Sequence, residues 1–243
     1  MGREALNHFR SALAPTGTLR AGMNLGNTLF TTKDPVTGEL SGVAADLMRE
    51  LASRLDVPLE FVVHATPGEV ADAADRGTWD VAVLAIEAAR ARTIAFSPAM
   101  TEIEASYVVN QASRLQSVGQ VDSAGVRISA AEKSGYELFL TRTLRNATVV
   151  RAKGFQASID LFNERRSDAL AGLKPALLDA IDRIPDGRML EGPFMTVNHG
   201  LGVPIDRPAA AEYVKAFVMD MNASGFVARA IARHGIKGLT AVR

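Results

Sequence analysis

The stretch from Trp79 to Pro98 constrains the fold more than any other part of the chain. It opens with a short apolar run, Val81 to Ile86, bounded by Gly77 and Asp80. A run of this length between turn-forming residues is typical of a buried strand rather than a helix. An Ala-rich segment carrying two arginines begins at Glu87 and predicts one or two helical turns.

A strand that ends where a helix begins leaves several backbone N–H groups unpaired and pointing in one direction. An anion placed there gains these donors and the positive end of the helix dipole. Arg90 is expected one turn into this helix, where its guanidinium can hold the same anion through two parallel hydrogen bonds. We therefore predict a site for a small anionic ligand, a carboxylate, at Arg90 and the amides near Ala85 and Glu87.

At these residues the chain resembles the bacterial extracellular solute-binding proteins, family 3, the polar amino-acid class that delivers ligands to ABC importers. The family pattern is a strand after an Asp, a small-residue turn, Thr-x-x-Arg, and a Phe-Ser/Thr-x-Pro stop. The matching positions here are Asp80, Ala85, Glu87, Arg90, Phe96 and Ser97. Glu87 stands near the usual Thr, and the spacing from Asp80 to Arg90 is shorter than is common in the family. The resemblance extends from Leu19 to Gly235.

The resemblance implies an α/β fold of the type II periplasmic binding proteins, with two Rossmann-like lobes joined by two hinge strands and a ligand cleft between them. The alternation of predicted strands and helices independently favours parallel sheets covered by helices. We expect residues 1–109 and 198–243 to form lobe 1, and residues 110–197 to form lobe 2.

The function that the resemblance implies is the substrate-binding component of an ABC importer. It would bind a small carboxylate-bearing solute, an amino acid or related organic acid, between two closing lobes. The implied partner is the membrane permease of the transporter, and the implied location is the periplasm. We expect a monomer that is not an enzyme and uses no cofactor or metal.

The loop after the first predicted strand supplies further candidates, because loops at the carboxyl ends of strands line the ligand crevice of an open α/β sheet. Asn24, Asn27 and Thr28 are its polar residues, and a plain turn with solvent-facing amides is the alternative interpretation. The family carries an aromatic residue on this loop that lies on the ligand. Phe30 is the nearest match, with Leu29 as the competing position.

A second helix N-terminus is predicted in lobe 2. Ser134 and Glu137 have the spacing of a capping box, with the helix beginning at Tyr136. In the family a Gly-Thr-Thr-like turn contributes to the ligand site here. The positions that fall nearest to this turn are Lys133, Ser134, Gly135 and Tyr136.

The most informative departure from the family is Leu173, which stands where an Asp often pairs with the α-ammonium of the ligand. A buried ammonium without a carboxylate partner is costly. Either Glu87 or Glu132 takes that role, or the ligand has no ammonium. The adjacent Lys174 would favour an additional negative group on the ligand, or else is a solvated surface lysine.

Composition excludes several other classes. The formal net charge is zero, so nothing in the composition indicates a nucleic-acid partner, which would need a basic face. There are no cysteines, so disulfides and thiolate metal sites are excluded, and the histidines lack metal-ligand spacing. Residues Met1 to Ala14 predict an amphipathic helix rather than a signal peptide. The sequence leaves open whether an export signal has been removed or the protein is cytoplasmic.

Two alternative functions remain compatible with the sequence. One is a cyclohexadienyl-dehydratase-like enzyme on the same scaffold, which would need a positioned general acid such as Glu87 or Glu132. The other is a ligand-sensing domain that acts through a partner.

Overall fold

The computed structural model describes residues 3–242. The chain forms two compact units. Unit 1 contains the described residues up to Glu102 and from Asn198 onwards, and unit 2 is Ile103–Val197. The chain therefore leaves unit 1 within one strand and returns within another. The lobe boundary expected between residues 109 and 110 stays a prediction.

The helices and strands follow one another along the chain in the order expected for repeated βα units. The helices are α1 (Arg3–Leu13), α2 (Val43–Leu55), α3 (Pro67–Asp72), α4 (Gly135–Thr143), α5 (Phe155–Asn163), α6 (Lys174–Ala180), α7 (Pro208–Ala223) and α8 (Phe226–Arg233). The strands are β1 (Leu19–Asn24), β2 (Thr32–Lys33), β3 (Leu40–Ser41), β4 (Leu59–His64), β5 (Val81–Ala85), β6 (Ile94–Phe96), β7 (Thr101–Asn110), β8 (Arg127–Ala131), β9 (Thr148–Ala152), β10 (Ala169–Leu173), β11 (Gly187–Met189), β12 (Met195–Pro204) and β13 (Thr240–Ala241).

In unit 1 the sheet has the order β4-β1-β5-β12. β1 runs parallel to β4 and to β5, while β12 is antiparallel to β5. The carboxyl ends of the three parallel strands are Asn24, His64 and Ala85. Because these strands run in the same direction, their ends lie along one edge of the sheet, and the loops that follow them start there.

Unit 2 repeats this arrangement. Its sheet has the order β7-β10-β8-β9, with β8 parallel to β9 and to β10, and β7 antiparallel to β10. The carboxyl ends of the parallel strands are Ala131, Ala152 and Leu173. In both units the first parallel strand lies between the second and the third, and an antiparallel strand follows the third.

Trp79 anchors the core of unit 1 immediately before β5. Its side chain is fully buried against Val70, Leu84 and Ile94, and its Nε1 donates a hydrogen bond of 2.9 Å to the carbonyl of Val70. Gly22 lets β1 approach the indole, since a Cβ there would lie 3.0 Å from Trp79 Cγ.

The first and third parallel strands of each unit are neighbours, and they are joined by an ion pair that we call the Arg–Asp bridge. In unit 1, Asp80 precedes β5 and accepts hydrogen bonds from Arg20 N (3.0 Å), Nε (3.0 Å) and Nη2 (2.7 Å). In unit 2, Asp168 precedes β10 and accepts from the same three groups of Arg127, at 2.9, 3.1 and 3.2 Å. In unit 1 a second arginine joins the pair, since Arg207 Nη1 lies 2.6 Å from Asp80 Oδ1. The bridge is therefore a repeated device that is buried more deeply in unit 1.

Acid should weaken the turn before β9. Asp122 accepts hydrogen bonds from the amides of Asn146 (2.8 Å) and Ala147 (2.9 Å), and the bond from Ala147 is the leading cause of the lowered pKa of this carboxyl. A folded-state pKa below the unfolded value of about 3.9 gives stability that is present above that pH and lost as pH falls. We therefore expect Asp122→Asn to lose less stability than the wild type between pH 7 and 3, measured by urea unfolding. An equal acid loss in both proteins would contradict this role.

The first residues of β7, from Thr101, pair with β13. The residue before α8 is Gly225, whose φ of +70° suits glycine. Ser224 follows α7 as its C-cap, and its hydroxyl donates to the carbonyl of Met221.

The amphipathic helix predicted over Met1 to Ala14 is present as α1, although Met1 and Gly2 lie outside the described residues. Within residues 3–242, no helix combines the length and the hydropathy needed to cross a bilayer.

Candidate functional site

The segment after β5 forms less helix than the sequence predicts. The Glu87 carbonyl accepts the amides of both Arg90 and Ala91 at 3.0 Å, and a single 3-10 turn follows over Arg90–Arg92. The chain then enters β6 at Ile94, which pairs with β12. Of the expected one or two helical turns, this single turn forms, because the strand pairing begins so soon. Arg90 opens the turn rather than lying one turn inside a helix.

Arg90 is nevertheless placed at the carboxyl end of β5. Its side chain is buried, and Nη1 donates a 3.0 Å hydrogen bond to the carbonyl of Ala85, the last residue of that strand. Burial lowers the pKa of the guanidinium to about 10, and the negative charges of Glu87 and Asp72 oppose this shift. The group therefore remains cationic at neutral pH. A buried cation at this edge of the sheet favours an anion nearby.

Two other predicted residues of unit 1 lie close to the same strands. Glu87 is buried directly after β5. Phe30 is 3% exposed, and its ring lies against His199 of β12, with 4.6 Å between the ring centroids and 40° between the planes. Gly42 keeps the Phe30 carbonyl accessible to the first turn of α2, because a Cβ at Gly42 would collide with that oxygen.

Asn24 and Asn27 use their side-chain oxygens to shape the loop after β1. Asn24 Oδ1 accepts the amide of Gly26 at 2.9 Å, and Asn27 Oδ1 accepts the amide of Leu29 at 3.2 Å. Such Asx turns are typical of loop-forming asparagines. A contact between either side chain and a solute stays a prediction.

In unit 2 the capping box predicted at the start of α4 forms only in part. Ser134 Oγ accepts the amide of Glu137 at 3.2 Å, as expected. The Glu137 carboxylate accepts the amide of Lys133 at 2.9 Å rather than that of Ser134. The physical reason is that the Ser134 amide already donates to the carbonyl of Ala131. The amides of Gly135 and Tyr136 have no acceptor among residues 3–242.

The remaining predicted residues of unit 2 have protein partners or are buried. Burial raises the pKa of Tyr136 to about 12, although hydrogen bonds with Ser134 and Ala131 oppose the rise, so its hydroxyl stays protonated at neutral pH. Lys174 Nζ lies 2.6 Å from Glu104 Oε2, with both side chains about half exposed. The Lys174 charge is thus offset by a protein carboxylate, which neither interpretation of the sequence anticipated.

Sequence reasoning missed one residue, His64, and one contact, that between Glu137 and Lys133. His64 ends β4 beside Asn24, and burial lowers its pKa. Its Nε2 is buried without a hydrogen-bond partner in the described part of the chain. Only its position at the carboxyl end of a parallel strand could have marked it. The capping-box spacing identified Glu137, but it did not predict the hydrogen bond that Glu137 accepts from the Lys133 amide.

The two units together define a class of protein, the type II periplasmic binding proteins. The structure resembles that of the amino acid ABC transporter substrate-binding protein AbpA from Streptococcus pneumoniae bound to L-arginine, with a TM-score of 0.76, 19% identity, and coverage of 92% of this chain and 96% of that one. It also resembles the ancestral amino acid-binding protein AncCDT-1, a precursor of cyclohexadienyl dehydratase, with a TM-score of 0.75, 19% identity, and coverage of 94% and 99%. The predicted fold class is confirmed.

The chain belongs to the bacterial extracellular solute-binding proteins, family 3, whose family model matches residues 19–236. A curated relative is the ABC transporter glutamine-binding protein GlnH of Bacillus subtilis (strain 168), which is 21% identical over 227 residues, covering 92% of this chain and 83% of that protein. The predicted general function, solute binding for an ABC importer, is confirmed at the level of the family.

Proposed function

We propose that this chain binds a small carboxylate-bearing solute outside the cytoplasmic membrane and presents it to the permease of an ABC importer. Membership of an extracellular solute-binding family supports the location and the partner. The names of the relatives support the solute class, since one is a glutamine-binding protein and another is bound to L-arginine. Both of those solutes carry a carboxylate.

The proposal of a carboxylate-bearing solute rests on the buried guanidinium of Arg90 at the end of β5. A buried cation retains its charge at neutral pH here, with its pKa near 10. A carboxylate that reaches it forms charge-assisted hydrogen bonds, each contributing about 1.5–3 kcal/mol. The assignment of the Lys133–Tyr136 turn of unit 2 to the solute site stays a prediction from the family resemblance.

Solutes with an α-ammonium and solutes without one need different partners in the protein. Leu173 ends β10 where the family often has an Asp, and Glu104, the carboxylate beside it, is bonded to Lys174. An α-ammonium would therefore need Glu87 or Glu132. A thermal-shift screen of amino acids against the corresponding 2-oxo and 2-hydroxy acids separates the two cases, because a ligand far above its dissociation constant raises stability by several kcal/mol.

Loss of the guanidinium should weaken binding of the best solute from that screen. We expect Arg90→Met to raise its Kd at least about tenfold, because one charge-assisted hydrogen bond is worth a decade or more in affinity. Calorimetric titration measures this change. Arg92→Ala is the matched control, since Arg92 lies in the same 3-10 turn but is exposed. Equal affinities for wild type and Arg90→Met, with a folded variant, would refute the role of Arg90.

We further propose that the chain binds its solute without converting it, and that it acts as a monomer. The relatives named as binding proteins support the first of these two proposals. The predicted dehydratase-like alternative requires a positioned general acid, such as Glu87 or Glu132. Incubation with prephenate, followed by absorbance of phenylpyruvate, tests for that activity. Product formation above the uncatalysed rate would overturn the assignment as a binding protein.

A further inference from the structure

Glu137 is a buried carboxylate on α4 at the centre of a hydrogen-bond cluster that includes Arg151 of β9. Its side chain is 3% exposed. Oε1 accepts hydrogen bonds from Thr141 Oγ1 at 2.6 Å and from Arg151 Nε at 2.8 Å, and Arg151 Nη2 donates to Thr141 Oγ1 at 2.8 Å. The positive charge of Arg151 compensates the carboxylate, so the cluster adds no net charge to its surroundings. Three hydrogen bonds among Glu137, Thr141 and Arg151 fix the geometry of the cluster.

The other oxygen of Glu137 leaves this cluster and binds the backbone. Oε2 accepts the amide of Lys133 at 2.9 Å. Lys133 has a φ of +55°. Residues with a Cβ rarely adopt this left-handed backbone conformation. Such strain persists only where surrounding contacts impose it. In this conformation the Lys133 amide donates to the buried carboxylate of Glu137.

This conformation decides where the following amides point. After Lys133 the chain turns through Ser134, whose amide donates to Ala131 and whose hydroxyl accepts the amide of Glu137. Those two bonds leave the amides of Gly135 and Tyr136 as the donors without an acceptor in the described chain. Their direction therefore depends on the backbone angles of Lys133.

We propose that Glu137 is a positioning residue for solute binding. It holds the Lys133–Tyr136 turn in its binding geometry before the solute arrives, and it does not contact the solute itself. This inference rests on the proposed function, because the turn must meet a solute for its geometry to matter. Preorganisation of this kind raises affinity by removing an ordering cost on binding. For one backbone residue that cost corresponds to a factor of roughly ten in Kd.

Two variants of the same cluster separate positioning from general stability. Glu137→Met removes both acceptor oxygens and frees the Lys133 amide. Thr141→Val removes one bond to Oε1 and one from Arg151 but leaves the bond between Oε2 and Lys133 in place. Both should lower the melting temperature. Only Glu137→Met should speed hydrogen exchange of the Lys133 amide, by at least about tenfold, because only this variant removes its acceptor.

Binding is measured by calorimetry with L-arginine, L-glutamine and 2-oxoglutarate as probes. For whichever probe binds the wild type, we expect Glu137→Met to raise Kd by about tenfold and Thr141→Val to leave it unchanged. If Glu137→Met does not fold, Glu137→Gln replaces it, with the same direction of effect. Equal Kd changes in both variants, or unchanged exchange at Lys133, would overturn the positioning role. If none of the probes binds the wild type, the proposed function fails for these solutes, while exchange at Lys133 still decides whether Glu137 fixes the turn.

Discussion

Asp80→Ala should lose about 3–5 kcal/mol of folding stability, the usual result of removing one partner from a buried ion pair. The Asp80 side chain is fully buried, while those of Arg20 and Arg207 are 21% exposed. Its removal leaves two guanidinium groups facing each other in a place that water reaches poorly. The loss should appear as a lower urea midpoint for the unfolding of unit 1.

The equivalent change in unit 2 is the matched control. Asp168 makes the same three bonds with Arg127, but these side chains are 41% and 45% exposed. Exposed ion pairs contribute about 0–1 kcal/mol, so Asp168→Ala should shift the midpoint much less than Asp80→Ala. Equal losses in the two variants would mean that burial does not decide the strength of the Arg–Asp bridge.

Leu173→Asp should change the kind of solute that the protein prefers. We expect the affinity for L-arginine or L-glutamine to rise by about 10–100-fold, because a carboxylate bonded to an ammonium is worth about 1.5–3 kcal/mol. Affinity for the corresponding 2-oxo acids should fall, since they bring no cation to the new charge. Paired calorimetric titrations of amino and oxo acids measure both changes.

Leu173→Asn controls for a structural side effect. Leu173 is the N-cap of α6 and makes no side-chain capping bond in the described chain. Asp and Asn both cap helices well, so either variant should gain a little stability. Only Asp brings the charge. A similar gain in amino-acid affinity for Leu173→Asn would show that capping, not the charge, caused it, and an unchanged preference in Leu173→Asp would remove Leu173 from the solute site.

Much of the fold was predictable because its signals are local. The apolar run Val81–Ile86 contains β5, which ends one residue earlier, at Ala85. Such patterns follow from which face of an element is buried. The segment after Glu87 was harder, because its Ala-rich composition favours helix while the pairing of Ile94 with β12 ends it early. That partner is distant in sequence and invisible to a local pattern.

The candidate site was predictable mainly by position. The resemblance to a family located Arg90 and the turn at Lys133, and the ends of parallel strands located the loops. The sequence could not show that Lys174 is bonded to Glu104, since the two are brought together only by the pairing of β10 with β7. It also could not show the left-handed conformation of Lys133, because glycine is the usual signal for such a position.

The discontinuous course of unit 1 has a consequence for the order of folding during synthesis. β12 is the neighbour of β5, and α7 and α8 pack on α1 and α2, yet all three emerge only after the whole of Ile103–Val197. Domains generally fold as units while the ribosome is still translating. The part of the molecule that is made first must therefore wait for its last strand and helices, with one side of β5 left without a partner in the meantime. The inserted unit, whose chain is continuous, can complete its structure first.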